Sequence, residues 1–114
     1  MCGISGLIDL RDRLNEDKIK KYLSEFNTVL NHRGPNNSGT YINKNIGIAQ
    51  TRLSIIDLSD LANQPMLSNH FGNLIMFNGE VFNHASLRKS LELKNITFTT
   101  DHSDTEVVLN GLSD

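Results

Sequence analysis

Tryptophan is absent from this 114-residue chain, proline occurs twice, and cysteine occurs once, at position 2. One cysteine cannot close an internal disulfide, so a reducing, cytoplasmic setting is expected. No apolar run approaches the ~20 residues needed to span a bilayer. The N-terminus lacks the basic start and long apolar stretch of a signal peptide. The formal net charge is −2, which gives neither a basic footprint for nucleic acid nor a polybasic membrane patch. The four histidines, His32, His70, His84 and His102, share no metal-ligand spacing, so no metal site is expected. What remains, 38% hydrophobic and 21% charged residues, is the balance of an ordinary globular chain: one domain, or part of one.

Residues 3–9 read as a short buried strand, with two glycines suggesting close backbone approach. Ile19, Tyr22, Leu23, Phe26, Val29 and Leu30 recur at helical spacing, which predicts a helix from about Glu16 to Asn31. Asn15 is the expected N-cap, and Gly34-Pro35 ends the element. A polar turn is expected over Asn36–Thr40, then strands over Ile46–Ala49 and Arg52–Ile56, and a third over Asn73–Phe77. A second helix is expected after Asn83. The alternation of Ile96, Phe98 and Thr100 suggests another strand. Ser103-Asp104-Thr105-Glu106 has the form of a capping box before a last helix. That helix has barely begun its third turn at the last residue, so the ending is expected to be a cut. The order lacks regular βαβ alternation, so an α+β arrangement is expected.

Cys2 directly follows the initiator methionine. A lone cysteine is more often a small buried apolar residue than a nucleophile. At position 2, however, loss of Met1 would give one residue both a thiol and a free α-amine. Nucleophile and general base would then share a residue. Asn78-Gly79 is by default a hairpin turn. It also has the groups of an oxyanion hole, a side-chain amide and an unobstructed backbone N–H, with Glu80 beside it. Arg52 is either a solvated edge residue or a bidentate clamp for a carboxylate. Asp104 either complements a helix dipole or meets an ammonium group. An arginine and an acid together describe an α-amino-acid site.

Met1-Cys2-Gly3-Ile4-Ser5-Gly6, His32-Arg33-Gly34-Pro35, Arg52-Leu53-Ser54-Ile55-Ile56-Asp57-Leu58-Ser59, Gln64-Pro65-Met66, Phe77-Asn78-Gly79-Glu80 and Ser103-Asp104-Thr105-Glu106 occur in that order. With these the chain resembles, over nearly its whole length, the class II glutamine amidotransferase domain of glutamine-hydrolysing asparagine synthetases. Each motif alone is weak, but six in series at family-like spacing are specific. The resemblance implies a four-layer αββα sandwich of the N-terminal-nucleophile (Ntn) hydrolase type, here incomplete. It implies Cys2 as nucleophile toward glutamine, Asn78 and Gly79 as oxyanion hole, and Arg52 on the glutamine α-carboxylate. Asp104, with Glu80 nearby, would meet the α-ammonium, and the Leu53 and Ile55 backbone would line the pocket. A thioester on Cys2 would release ammonia to a synthetase domain or subunit that makes asparagine from aspartate. No cofactor is implied for this chain. ATP and Mg belong to the synthetase domain, whose Ser-Gly-Gly-type motif does not occur in the sequence. A homodimer is left open.

Asn36 stands where the family usually has aspartate, and Gln50 where a histidine is common. Ala62-Asn63 replaces Gly-His, and Val81-Phe82-Asn83 replaces Ile-Tyr-Asn. None of these removes a group assigned a role; they bear on the final acceptor. Two alternatives stand beside the main reading. One is a non-catalytic truncated remnant. The other is an amidotransferase for a different acceptor, such as a cell-surface polysaccharide sugar.

Overall fold

A computed structural model describes residues 2–55 and 58–112. It is α+β: three α-helices and two small sheets occur among the described residues. The chain divides into two compact units, Met1–Leu53 and Ser54–Asp114, which are taken in turn.

The first unit is a three-stranded antiparallel sheet with a helix on one face. Strands β1 (Gly3–Ile8), β2 (Asn37–Asn43) and β3 (Ile46–Arg52) lie in the order β1-β3-β2. The register runs from Gly3↔Thr51 to Ile8↔Ile46 on one side of β3, and from Asn37↔Arg52 to Asn43↔Ile46 on the other. Helix α1 (Glu16–Leu30) starts at Asn15, whose side-chain oxygen accepts the Lys18 N–H at 2.9 Å. Asp9 braces the loop before it, its carboxylate accepting N–H bonds from Arg11, Arg13 and Leu14. Ile19 and Leu23 are fully buried against Ala49 of β3, with Leu7, Leu14, Phe26 and Ile42 around them. Burial of each such side chain contributes roughly 1.5–3 kcal/mol. Tyr22 and Val29 lie on the flank of this stripe and stay exposed, so the buried face is narrower than the apolar spacing suggests. Gly47 lets helix and strand approach: a Cβ there would stand 2.5 Å from Ile19 Cγ2 and 3.1 Å from Leu23 Cδ1.

The expected polar turn over Asn36–Thr40 is mostly strand β2. Its composition reads as a turn, but β3 offers a full unpaired edge, and ladder pairing outweighs weak local propensity. Polar residues are tolerated because β2 is itself an edge strand. The two strands expected on either side of Gln50-Thr51 are one, Ile46–Arg52. Ile56, the end of the second expected strand, lies outside the described residues.

In the second unit a turn of 3-10 helix (Asp60–Ala62) precedes a small hairpin, β4 (Met66–Leu67) with β5 (Leu74–Ile75). The chain turns between them through Gly72, which has φ +68°. The expected strand over Asn73–Phe77 is thus only Leu74–Ile75. Helices α2 (His84–Glu92) and α3 (Asp104–Gly111) complete the unit. Ala62, Met66 and Leu109 form one small core; Leu91, Ile96 and Val107 form another.

No strand forms over Ile96–Thr100. Ile96 and Thr100 are buried, as alternation demands, but the backbone donors find a side chain instead of a neighbouring strand. The Glu106 carboxylate accepts the Thr99 N–H at 2.7 Å, the Thr100 N–H at 2.8 Å and the Thr100 hydroxyl. Arg88 of α2 donates to the Thr100 carbonyl at 2.7 Å and stacks over the Phe98 ring at 4.1 Å. The expected capping box is therefore half made. Ser103 Oγ accepts the Glu106 N–H at 3.3 Å, while the Glu106 side chain serves the preceding segment.

Candidate active site

The first unit carries Cys2, Arg52 and Leu53. Cys2 is half-buried, one residue before β1. Its sulfur accepts the Leu53 N–H at 3.4 Å and lies 3.8 Å from the Leu53 carbonyl oxygen. Arg52, the last residue of β3, is buried with 7% of its surface exposed. The reading of Arg52 as a solvated edge residue is thus set aside: β3 is the central strand.

The His32-Arg33-Gly34-Pro35 run does more than end α1. Pro35 bridges to Arg52 in parallel fashion, and the Asn36 N–H donates to the Arg52 carbonyl at 3.0 Å. A Cβ on Gly34 would collide with the Thr51–Arg52 backbone, so only glycine permits this approach. Arg33 Nε donates to the Cys2 carbonyl at 3.5 Å. Thr51 Oγ1 donates to the Leu30 carbonyl at 3.0 Å. It also occupies the space a Cβ on Gly3 would need. This motif therefore braces the segments that hold Cys2 and Arg52. Sequence reasoning assigned it only the end of a helix.

The second unit carries Ile55, Asn78, Gly79, Glu80 and Asp104. Asn78-Gly79 is not a hairpin turn: β5 ends at Ile75, and no strand follows before α2. Asn78, Gly79 and Glu80 are exposed. A Cβ on Gly79 would stand 2.6 Å from the Phe77 ring, so a side chain there would displace that ring. Asp104, in the first turn of α3, is buried, and its Oδ2 accepts the Val81 N–H at 2.9 Å. This acid is therefore bonded to the residue after Glu80, beyond any role at the helix dipole. An ionised carboxylate has about four acceptor positions, so capacity for a cation remains. The Ile55 side chain is exposed.

Gln64 was not singled out by sequence reasoning for any role. It is buried, its Oε1 accepts the Phe77 N–H at 2.6 Å, and its Nε2 donates to Thr105 Oγ1 at 3.1 Å. Only its place in the Gln64-Pro65-Met66 motif pointed to it. Among the described residues no group of three or more His, Cys, Asp or Glu gathers as a metal site. No helix among them is long and apolar enough to cross a membrane.

Several glutamine-hydrolysing asparagine synthetases are similar to this chain over nearly its whole length. The chain is 37% identical over 109 residues to asparagine synthetase [glutamine-hydrolyzing] 1 of Bacillus subtilis, covering 96% of this chain and 17% of the relative. It is 36% identical over 109 residues to asparagine synthetase B [glutamine-hydrolyzing] of Escherichia coli, covering 96% of this chain and 19% of that protein. It is also 36% identical over 108 residues to asparagine synthetase [glutamine-hydrolyzing] 1 of Arabidopsis thaliana, covering 95% and 18%. The chain thus spans less than a quarter of the length of these curated relatives. Residues 1–114 match the family described as the glutamine amidotransferase domain. This protein belongs to the glutamine amidotransferase domain family.

Proposed function

We propose that this chain hydrolyses glutamine to glutamate and ammonia through a thioester on Cys2. The observation that carries the reading is the Cys2 sulfur meeting the Leu53 N–H, one residue on from the buried Arg52. Loss of Met1 frees the Cys2 α-amine, whose ordinary pKa of about 7.7–8.0 suits a general base near neutrality. The amine takes the thiol proton and the sulfur attacks the side-chain amide carbon of glutamine. Negative charge develops on the amide oxygen, where the Asn78 side-chain amide and the Gly79 N–H donate to it. The intermediate collapses, the C–N bond breaks, and the leaving nitrogen takes the proton from the α-amine and departs as ammonia. Water, deprotonated by the same amine, attacks the thioester and glutamate leaves, returning the thiol.

Recognition divides by charge. The Arg52 guanidinium pairs with the α-carboxylate of glutamine. Asp104, with Glu80 nearby, pairs with the α-ammonium, and the Leu53 and Ile55 backbone lines the pocket. The architecture is an Ntn-hydrolase αββα sandwich to which these α and β elements contribute. The working partner is a cytoplasmic synthetase domain or subunit that consumes the ammonia in making asparagine. The names of the relatives, all glutamine-hydrolysing asparagine synthetases, support this acceptor over a sugar.

The test joins intact mass to glutaminase kinetics. The active protein should lack the mass of Met1. Cys2→Ala should lower glutamine hydrolysis on the order of 10³-fold or more, as removal of a nucleophile does. Full activity in that variant would sink the assignment.

A further inference from the structure

Asn78, Gly79 and Glu80 are exposed, so burial does not fix them. The residues on either side are tied down instead. Phe77 gives its N–H to Gln64 Oε1 at 2.6 Å, and Gln64 Nε2 donates to Thr105 Oγ1 at 3.1 Å. Val81 gives its N–H to Asp104 Oδ2 at 2.9 Å. Both tethers end on consecutive residues, Asp104 and Thr105, in the first turn of α3. That turn is itself held by the bond from the Glu106 N–H to Ser103 Oγ. The Phe77 ring also lies against Gly79, 2.6 Å from where a Cβ would stand, so fixing Phe77 constrains the chain at Gly79.

From this we infer that Gln64 is a positioning residue for the Asn78-Gly79 oxyanion donors. Its side-chain amide is a strut from α3 to one flank of the segment, opposite the direct tether that Asp104 makes to the other. The inference rests on the glutaminase reading for its kinetic consequence, but not for the strut itself. Oxyanion donors are effective only when held where charge develops. A misplacement near 1 Å can cost about 10²-fold in rate. Loosening the Phe77 flank should therefore act mainly on turnover, because Arg52 and Asp104, the charged partners of the amino acid, lie outside the segment and Glu80 lies at its other end, next to the Val81 tether.

The test uses the full chain and three substitutions. Gln64→Met keeps the length of the side chain but removes both bonds. Gln64→Glu keeps an oxygen for the Phe77 N–H and can accept from the Thr105 hydroxyl. Thr105→Val removes the far end of the strut. Gln64→Met should lower kcat about 10–100-fold with KM changed less than about threefold. Gln64→Glu should restore most of the loss. Because the two groups form one strut, Gln64→Met with Thr105→Val should be no worse than Gln64→Met alone. Unchanged kcat in Gln64→Met, additive losses in the double variant, or an equal loss in Gln64→Glu would each overturn the inference. Amide hydrogen exchange at Phe77 supplies an arm independent of activity. Exchange should quicken about tenfold or more in Gln64→Met and stay near the parent rate in Gln64→Glu. Equal exchange in all three proteins overturns the strut whether or not glutamine is hydrolysed. A parent protein that does not hydrolyse glutamine sinks the proposed function, while the exchange arm still decides the strut.

Discussion

Asp9 shows how much one side chain organises without touching the site. The N–H of Leu14, with those of Arg11 and Arg13, holds its carboxyl below the ordinary carboxylate range. A depressed folded-state pKa contributes stability that is present above the unfolded value, 3.8, and is lost as pH falls through the folded value. Thermal melts from pH 6 to pH 2 should therefore show Asp9→Asn below the parent at pH 6, with the gap closing in acid. A gap independent of pH would remove the carboxylate as its cause. The same scale decides what could be read from sequence. Cys2, Asn78-Gly79, Arg52 and Asp104 stand out in the sequence as candidates because each carries a possible chemistry in its own type and position. Gln64 does not. Its role needs Phe77 and Thr105, respectively 13 and 41 positions away, and a buried amide bridge has no local signature.

Among elements, α1 was the most legible because its signals agree: an N-cap, a first turn with Glu16 and Asp17, an apolar stripe and a Gly-Pro stop. Asn15→Ala should destabilise the protein by about 1 kcal/mol, measured by urea unfolding with an unchanged m-value. An undiminished midpoint would mean that water replaces the cap without loss. β2 was illegible because its strand state comes from the edge of β3 and not from its own residues. The segment over 96–100 misled for the complementary reason. Its side chains alternate as a strand's would, yet Glu106 of α3 takes the backbone donors that a partner strand would have taken. Alternation reports which way side chains point. It does not report who satisfies the backbone.

For the whole molecule, membership in the glutamine amidotransferase domain family covers residues 1–114, against less than a quarter of each relative compared. With glutamine, aspartate, ATP and Mg supplied together, the 114-residue chain should form glutamate and ammonia in equal amounts and no asparagine. Amino-acid chromatography would check this, and asparagine formation would refute it. The α+β character was legible at this scale from element order alone. The division at Leu53–Ser54 was not, because no Pro-, Gly- or Ser-rich stretch marks it. The place of Cys2 has a practical consequence as well. It is the protein's one thiol, and it sits where β1 begins, with the Leu53 N–H on its sulfur. A dye or spin label that reacts with thiols would mark one place in every molecule. The rate at which it attaches would report how readily the half-buried sulfur can be reached, so the protein carries its own gauge of access to Cys2.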